Sequence, residues 1–185
     1  IFVFGTLRSD ALRKIVLGRD MSSSDICRAS IKDFRVYWAK EGPFPVMIPE
    51  PNSETHGLVL RNLSEPDIER LNYYELGFDY VLAPTWVETH SGQIEVSAYF
   101  CNRSDMATTK LWSFDDWLSD HSEIQYLAAR EFLDFFGTKF GDTAQVMYNS
   151  ILKRAEVFVS ESSTPSSALE IGPDLNTNIQ IEDLK

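Results

Sequence analysis

Apolar positions in the first hundred residues recur in short runs, which charged residues, glycine and proline separate. Runs of this length and composition are typical of β-strands. They predict strands at residues 1–4, 27–31, 34–38, 46–49 and 57–60. Two further runs, at 80–87 and 94–100, flank His90-Ser91-Gly92 and predict a β-hairpin.

Two helices are predicted within this strand-rich part. After Ser9, a residue type that caps helices, the apolar side chains recur on one helical face until Gly18. A second start signal at residues 64–67 precedes a buried stripe of Ile68, Leu71 and Tyr74.

Helical periodicity dominates after Cys101. Ser113 and Ser122 begin two helical segments, the second running to residue 136 and stopping at Gly137. A third segment starts at residue 141, with apolar side chains spaced three and four apart at Ala144, Met147, Tyr148, Ile151, Leu152 and Ala155. Because the strands come first, we expect a mixed α/β fold in which residues 1–100 form a closed or nearly closed sheet with helices outside it.

The pattern predicts one domain over residues 1–155, strand-rich over 1–100 and helical over 113–155. Beyond residue 155 the periodicity fails, and residues 161–167 are rich in serine, threonine and proline. We interpret residues 156–185 as a polar linker or tail that could lead to a further domain.

The composition argues against two classes of binding partner. The chain has 185 residues, of which 43 % are hydrophobic, enough for one ordinary core. Its net charge of −11 argues against nucleic acid and against an anionic membrane surface. No apolar run approaches the roughly 18–20 residues that cross a bilayer, and the start at Ile1 lacks the pattern of a secretory leader.

The cysteines and histidines do not predict a disulfide or a metal site. Cys27 and Cys101 lie in separate strand-like runs, so we expect buried reduced thiols and a cytoplasmic protein. His56, His90 and His121 lack the spacing of metal ligands, so no metal site is expected.

Two segments are candidates for binding and catalysis. Phe4-Gly5-Thr6-Leu7-Arg8 follows the first strand, and a strand that turns into a helix through Gly-Thr points several unpaired amides one way. Such a turn can hold a carboxylate or an oxyanion. About seventy residues later, residues 71–80 carry Glu75 among aromatic neighbours, which could desolvate its carboxyl and raise its pKa.

These segments resemble motifs of the γ-glutamylcyclotransferase-like family, which includes the AIG2-like proteins. The resemblance covers roughly residues 1–100 through the first strand and turn, Gly42-Pro43-Phe44-Pro45, Gly57-Leu58-Val59 and the segment around Glu75. Three positions depart from the family pattern: Phe4 replaces a tyrosine, Asn72 an aspartate and Leu76 a glycine.

The resemblance implies a small β-barrel with helices packed around it. It also implies cyclisation of a γ-glutamyl amide to 5-oxoproline, with release of an amine and without cofactor or metal. Glu75 would be the general acid and base. The alternative is that Glu75 is an exposed acidic residue at the end of a helix, without a catalytic role.

The resemblance assigns substrate binding to Phe4, Gly5, Thr6, Leu7, Arg8, Phe44, Pro45 and Tyr80. For two of these residues an ordinary structural role is about as plausible. Arg8 could be a solvated side chain at a helix start, and Tyr80 could simply pack in its strand.

Two alternatives stay open. The chain could be a non-catalytic ligand-binding or accessory domain on the same fold. The resemblance also extends to domains that precede a Nudix-type ADP-ribose hydrolase, in which case the activity would belong to a domain downstream of the tail.

Overall fold

The computed structural model describes residues 1–75, 80–137 and 144–162. The strands are β1 (Phe2–Val3), β2 (Ile26–Ala39), β3 (Pro45–Leu60), β4 (Tyr80–Thr89), β5 (Gly92–Cys101) and β6 (Ala107–Leu111). The helices are α1 (Asp10–Leu17), α2 (Glu65–Glu75), α3 (Phe114–Asp120), α4 (Ser122–Leu133) and α5 (Ala144–Ser162). Short 3-10 turns occupy Thr6–Arg8, Ser23–Asp25 and Ser104–Met106.

Five strands close into a barrel in the order β3-β1-β5-β4-β2, and β2 returns to pair with β3. The one parallel pairing among them joins β1 to β5, where Phe2 lies opposite Ala98. β6 attaches outside this circuit, along the second half of β2. The predicted mixed α/β barrel with external helices is therefore confirmed.

The prediction of many short strands was wrong in detail. The runs at 27–31 and 34–38 belong to one strand, β2, and those at 46–49 and 57–60 belong to β3. Pairing continues through a shift in register between Lys32 and Phe34. There Asp33 and Asn52 adopt left-handed backbone angles, and the Asn52 amide donates to the Asp33 carboxylate at 2.8 Å. The polar residues that suggested loops thus form a bulge in a continuous ribbon.

Strand β6 was missed by the sequence reading. Its five residues, Ala-Thr-Thr-Lys-Leu, are half-buried or exposed, so they carry no alternation between an apolar and a polar face. Pairing with the edge of β2 forms this strand.

Three apolar clusters are buried in the described part of the molecule, the smallest formed by Ala39, Val46 and Met106. The barrel interior holds the side chains of Phe2, Phe4, Ala29, Ile31, Val36, Met47, Val59, Val87 and Ala98. A larger cluster lies between the barrel and the helices and includes Leu12 of α1, Leu71 of α2, Phe132 of α4 and Ile151 of α5. Since α4 packs against α1 and α5, it lies outside the barrel, as expected.

The helix boundaries confirm some predictions and correct others. Ser9 caps α1, accepting from the Leu12 amide at 3.3 Å, and Gly18 ends it in a left-handed conformation. Helix α4 ends at Leu133, three residues before the predicted end, because residues 134–137 form a turn. Within the described residues, no helix is both long and apolar enough to cross a membrane.

The start of the predicted tail is helical. Helix α5 continues to Ser162, so residues 156–162 are not an extended linker. Their sequence shows no apolar periodicity because most of these residues are exposed, including Val157 and Phe158. Residues 163–185, the rest of the predicted tail, lie outside the described residues.

Both cysteines are half-buried rather than buried. Among the described residues, neither Cys27 of β2 nor Cys101 of β5 forms a disulfide bond. Their partial exposure corrects the expectation of full burial.

The seam between β1 and β3 depends on Gly57. A Cβ added there would lie 2.4 Å from the Val3 carbonyl oxygen and 2.6 Å from the Phe2 ring. Neither neighbour has room to move, since Phe2 is buried in the barrel and Val3 is paired on β1.

Gly57→Ala is therefore expected to destabilise the fold by about 1–3 kcal/mol or more, the range of overpacked cores. Urea unfolding followed by tryptophan fluorescence measures the change. His56→Ala is the matched control, since the neighbouring His56 is exposed and its loss should stay within about 0.5 kcal/mol. A Gly57→Ala variant as stable as this control would contradict the account of the seam.

Candidate active site

A cavity lies where β1 ends, between the barrel and helices α2, α4 and α5. It contains about 710 Å³ of empty space, counting the solvent at its mouth. The lining is contributed by Phe2, Val3, Phe4, Gly5, Thr6, Leu7, Phe44, Pro45, Tyr74, Glu75, Tyr80, Tyr99, Gln125 and Tyr148.

The turn after β1 provides backbone donors. Thr6–Arg8 forms a 3-10 turn in which the Arg8 amide donates to Gly5 at 3.0 Å and the Ser9 amide to Thr6 at 2.9 Å. Helix α1 begins directly after this turn, with Ser9 as its cap, as the sequence predicted. The first amides of a helical turn have no carbonyl within it, so those of Thr6 and Leu7 are candidate donors to a ligand.

The buried side chain of Arg13 fixes this turn from behind. Its guanidinium donates to the carbonyls of Leu7 at 3.0 Å and Arg8 at 2.7 Å, and to the Asp10 carboxylate at 2.9 Å. Sequence reasoning did not select Arg13, because a basic residue in a short amphipathic helix is ordinarily solvated. Its burial beside two carbonyls holds the turn in one conformation.

Pro45 packs directly on Gly5. A Cβ at Gly5 would lie 2.3 Å from the Pro45 Cγ atom, so this approach requires glycine. The Tyr80 hydroxyl donates to the Pro45 carbonyl at 2.7 Å. Tyr80 thus lines the cavity as predicted, but its hydroxyl hydrogen holds Pro45 in place. Donation to a substrate, as the sequence suggested, would require this bond to break.

Arg8 is the predicted site residue that does not line the cavity. Its guanidinium lies 4.5 Å from the centre of the Phe114 ring. Burial lowers the pKa of Arg8, and the Asp115 carboxylate partly offsets that effect. The structure therefore places Arg8 against α3, while Phe4, Gly5, Thr6, Leu7, Phe44 and Pro45 reach the cavity with Tyr80 and Glu75.

Glu75 is the last residue of α2 and lines the cavity. Desolvation by the surrounding protein raises the pKa of its carboxyl to about 7. Among the described residues, none forms a hydrogen bond or an ion pair with this carboxylate. It is therefore a carboxyl group that changes protonation near neutral pH, as a general acid and base requires.

Tyrosines surround Glu75. Burial raises the pKa values of Tyr74, Tyr80 and Tyr99, and the negative charge of Glu75 adds to the effect. Tyr99 also donates to the side-chain oxygen of Asn72 at 2.8 Å, which ties α2 to β5. The amide at position 72 thus accepts the hydrogen bond that an aspartate there could accept.

Several lining residues were missed by sequence reasoning. Tyr99 reads as a strand aromatic, and Tyr148 belongs to the apolar stripe of α5, so both resemble core residues. Gln125 of α4 is 3 % exposed, and its side-chain oxygen accepts a hydrogen bond from the Tyr148 hydroxyl at 2.9 Å. Nothing in the sequence around this glutamine indicates that it lines a cavity.

The cavity combines a carboxyl group that titrates near neutral pH, backbone amides and a mostly apolar wall. No described group of three or more histidine, cysteine, aspartate or glutamate side chains could hold a metal ion. The residues present are suited to proton transfer and to binding an oxygen atom that carries negative charge.

The raised pKa makes the stability of the protein depend on pH. The folded carboxyl titrates near 7 and the unfolded one near 4.5, so the native state binds the proton more tightly. This tighter binding of the proton stabilises the native state. The stabilisation is complete below about pH 4.5 and is lost as pH rises through 7.

Glu75→Gln removes this titration. The free energy of unfolding of the wild type, relative to the variant, should fall by on the order of 3 kcal/mol between about pH 4 and pH 8. Denaturant unfolding at several pH values measures it, with Glu69→Gln on the exposed face of α2 as control. A difference between wild type and Glu75→Gln that stays constant over this range would show that the carboxyl is not desolvated.

The chain was compared with known proteins. The model of the family described as "Gamma-glutamyl cyclotransferase, AIG2-like" matches residues 1–119. The chain is 26 % identical to AIG2-like protein B of Arabidopsis thaliana over 137 residues, 72 % of this chain and 77 % of that protein. It is 24 % identical to Protein AIG2 A of the same plant over 172 residues, 91 % of this chain and 94 % of that protein.

A solved structure gives the same fold. The solution structure of another Arabidopsis thaliana protein superposes with a TM-score of 0.51 at 17 % identity, over 96 % of this chain and 93 % of that one. The barrel, the cavity at the end of β1 and the family match agree with the resemblance seen in the sequence. The chain therefore belongs to the γ-glutamyl cyclotransferase, AIG2-like family.

Proposed function

We propose that this protein is a γ-glutamylcyclotransferase-type enzyme, which converts a γ-glutamyl amide into 5-oxoproline and a free amine. The observation that carries the proposal is the shared cavity of Glu75 and the 3-10 turn at Gly5–Leu7. The carboxyl has a pKa of about 7, and the turn that lines the same cavity offers backbone donors.

The reaction is an intramolecular displacement. The α-amine nitrogen of the substrate bonds to the γ-carbonyl carbon, and the bond from that carbon to the amide nitrogen breaks. One proton moves from the attacking nitrogen to the leaving nitrogen. Attack within one molecule avoids the entropy of bringing two together, a benefit of roughly 7–11 kcal/mol when the groups are well aligned.

Glu75 can carry the proton in both directions. As carboxylate it accepts the proton from the attacking nitrogen, and as carboxyl it returns the proton to the leaving amine. A pKa of about 7 favours both steps at neutral pH, because neither protonation state is far in excess.

The amides of the 3-10 turn stabilise the oxygen of the tetrahedral intermediate. The Arg13 guanidinium holds the turn through the Leu7 and Arg8 carbonyls, so the donors are fixed before the substrate arrives. Donors fixed in this way contribute more than flexible ones. Phe4, Phe44 and Pro45 form the apolar wall that keeps water from the reacting groups.

The rival proposal is a ligand-binding domain without catalysis on the same fold. Phe4 lacks the hydroxyl of the tyrosine that the family pattern carries, and Leu76 lies outside the described residues. Turnover separates the two proposals directly.

A panel of γ-glutamyl amides with different leaving groups, a free amino acid, cysteinylglycine and the lysine side-chain amine, should include a substrate that yields 5-oxoproline. With that substrate, Glu75→Gln should lower kcat by at least about 100-fold, because general acid–base catalysis typically contributes about 10²–10⁴-fold. The wild-type rate should rise with pH up to about 7, as the carboxylate forms.

Glu69→Gln serves as the matched control and should turn over at nearly the wild-type rate. Activity of Glu75→Gln within tenfold of wild type would remove Glu75 from the mechanism. Binding of γ-glutamyl amides by the wild type without 5-oxoproline release would favour the rival proposal.

A further inference from the structure

Among the described residues, the side-chain amide nitrogen of Gln125 has no hydrogen-bond partner. Gln125 lies on α4 and is 3 % exposed, yet it lines the same cavity as Glu75. Its side-chain nitrogen is buried, and residues 1–75, 80–137 and 144–162 offer it no hydrogen-bond acceptor. Because buried donors are almost always paired, an unpaired one at a cavity wall indicates a place for an acceptor from a ligand.

A chain of hydrogen bonds fixes which end of the amide faces the ligand. The Tyr74 hydroxyl bonds to the Tyr148 hydroxyl, and Tyr148 in turn donates to the Gln125 side-chain oxygen at 2.9 Å. With its oxygen occupied as acceptor, the amide keeps both N–H bonds for another partner. Tyr74 precedes Glu75, so this chain links the candidate catalytic helix to α4 and α5.

The charge of the cavity supports the same assignment. Among the described lining residues there is no lysine, arginine or histidine, and Glu75 is the only acidic one. An oxygen of the ligand that carries negative charge must therefore be held by neutral donors of the described wall. Candidate donors include the amides of the 3-10 turn and the side-chain nitrogen of Gln125.

We infer that Gln125 is a substrate-positioning residue that donates a hydrogen bond to a carboxylate or carbonyl oxygen of the bound γ-glutamyl compound. This inference rests on the proposed function and goes beyond the family match, because α4 follows residue 119, where that match ends. The helices outside the barrel thus complete the substrate site, and Gln125 selects ligands that present an acceptor oxygen on this side.

The test compares three variants with wild type. Gln125→Met keeps the size of the side chain and removes both polar atoms. Tyr148→Phe removes only the hydroxyl that bonds to Gln125. The double variant Gln125→Met/Tyr148→Phe removes the amide together with the hydroxyl that donates to it, so no Tyr148 hydroxyl is left buried without its acceptor.

Steady-state kinetics with the best γ-glutamyl amide of the panel should show KM raised about tenfold in Gln125→Met and in the double variant, the loss expected for one buried hydrogen bond. The change in kcat should be less than about threefold, and the rising limb of the pH profile should stay near 7. Tyr148→Phe should raise KM by no more than about threefold, because the donor nitrogen remains.

Two results would overturn the inference. One is a KM for Gln125→Met within twofold of wild type. The other is a Tyr148→Phe defect as large as that of Gln125→Met, since the glutamine would then act only as the partner of Tyr148. Circular dichroism and the melting temperature establish that each variant is folded.

Calorimetric titration with 5-oxoproline separates this inference from the proposed function. If the wild type binds 5-oxoproline but turns over no γ-glutamyl amide, the proposed function fails, while a tenfold weaker affinity in Gln125→Met still supports the role of Gln125. If the wild type binds neither 5-oxoproline nor any amide of the panel, both are wrong.

Discussion

The position of β1 determines both the barrel and the site. This strand has only two residues, yet it pairs with β3 on one side and with β5 on the other, so it closes the sheet. Its approach to β3 requires Gly57, and its end delivers Phe4 and Gly5 to the mouth of the barrel. Gly5 accepts the Pro45 ring at close range, and Arg13 holds the carbonyls of the turn that follows. The same closure that makes the fold therefore places the residues of this turn at the cavity wall.

The ionised carboxylate of Glu75 costs free energy in this cavity. Its carboxyl is desolvated, and among the described residues no cation or hydrogen-bond donor compensates its charge. Such an arrangement lowers stability above neutral pH, and proteins accept that cost mainly where chemistry requires it. The surrounding tyrosines provide bulk and low polarity without adding a charge, and two of them connect Glu75 to α5 and Gln125. The cavity thus depends on helices that the barrel alone does not provide.

Local sequence signals predicted the parts of this structure that are decided locally. Ser9 and Gly18 bound α1, the hairpin forms around residues 90–91, and the Gly-Thr turn follows β1 as expected. The parts decided by distant contacts were missed: the joining of short runs into β2 and β3, the edge strand β6, and the burial of Arg13. The site follows the same division, because motifs around Gly5 and Glu75 are contiguous in sequence. Gln125 and Tyr148 reach the cavity only through the packing of α4 and α5, and the sequence carries no sign of Arg8 turning toward Phe114.

The protonation of Glu75 is the property on which the account depends, and it can be observed without any substrate. Carbon-13 NMR of protein labelled at the glutamate carboxyl carbons, with Glu75→Gln to assign the resonance, follows this one group through a pH titration. The account predicts a midpoint of about 7, well above that of an exposed glutamate. A midpoint near 4.5 would show a solvated carboxylate and would contradict the assignment of Glu75 as the group that transfers the proton.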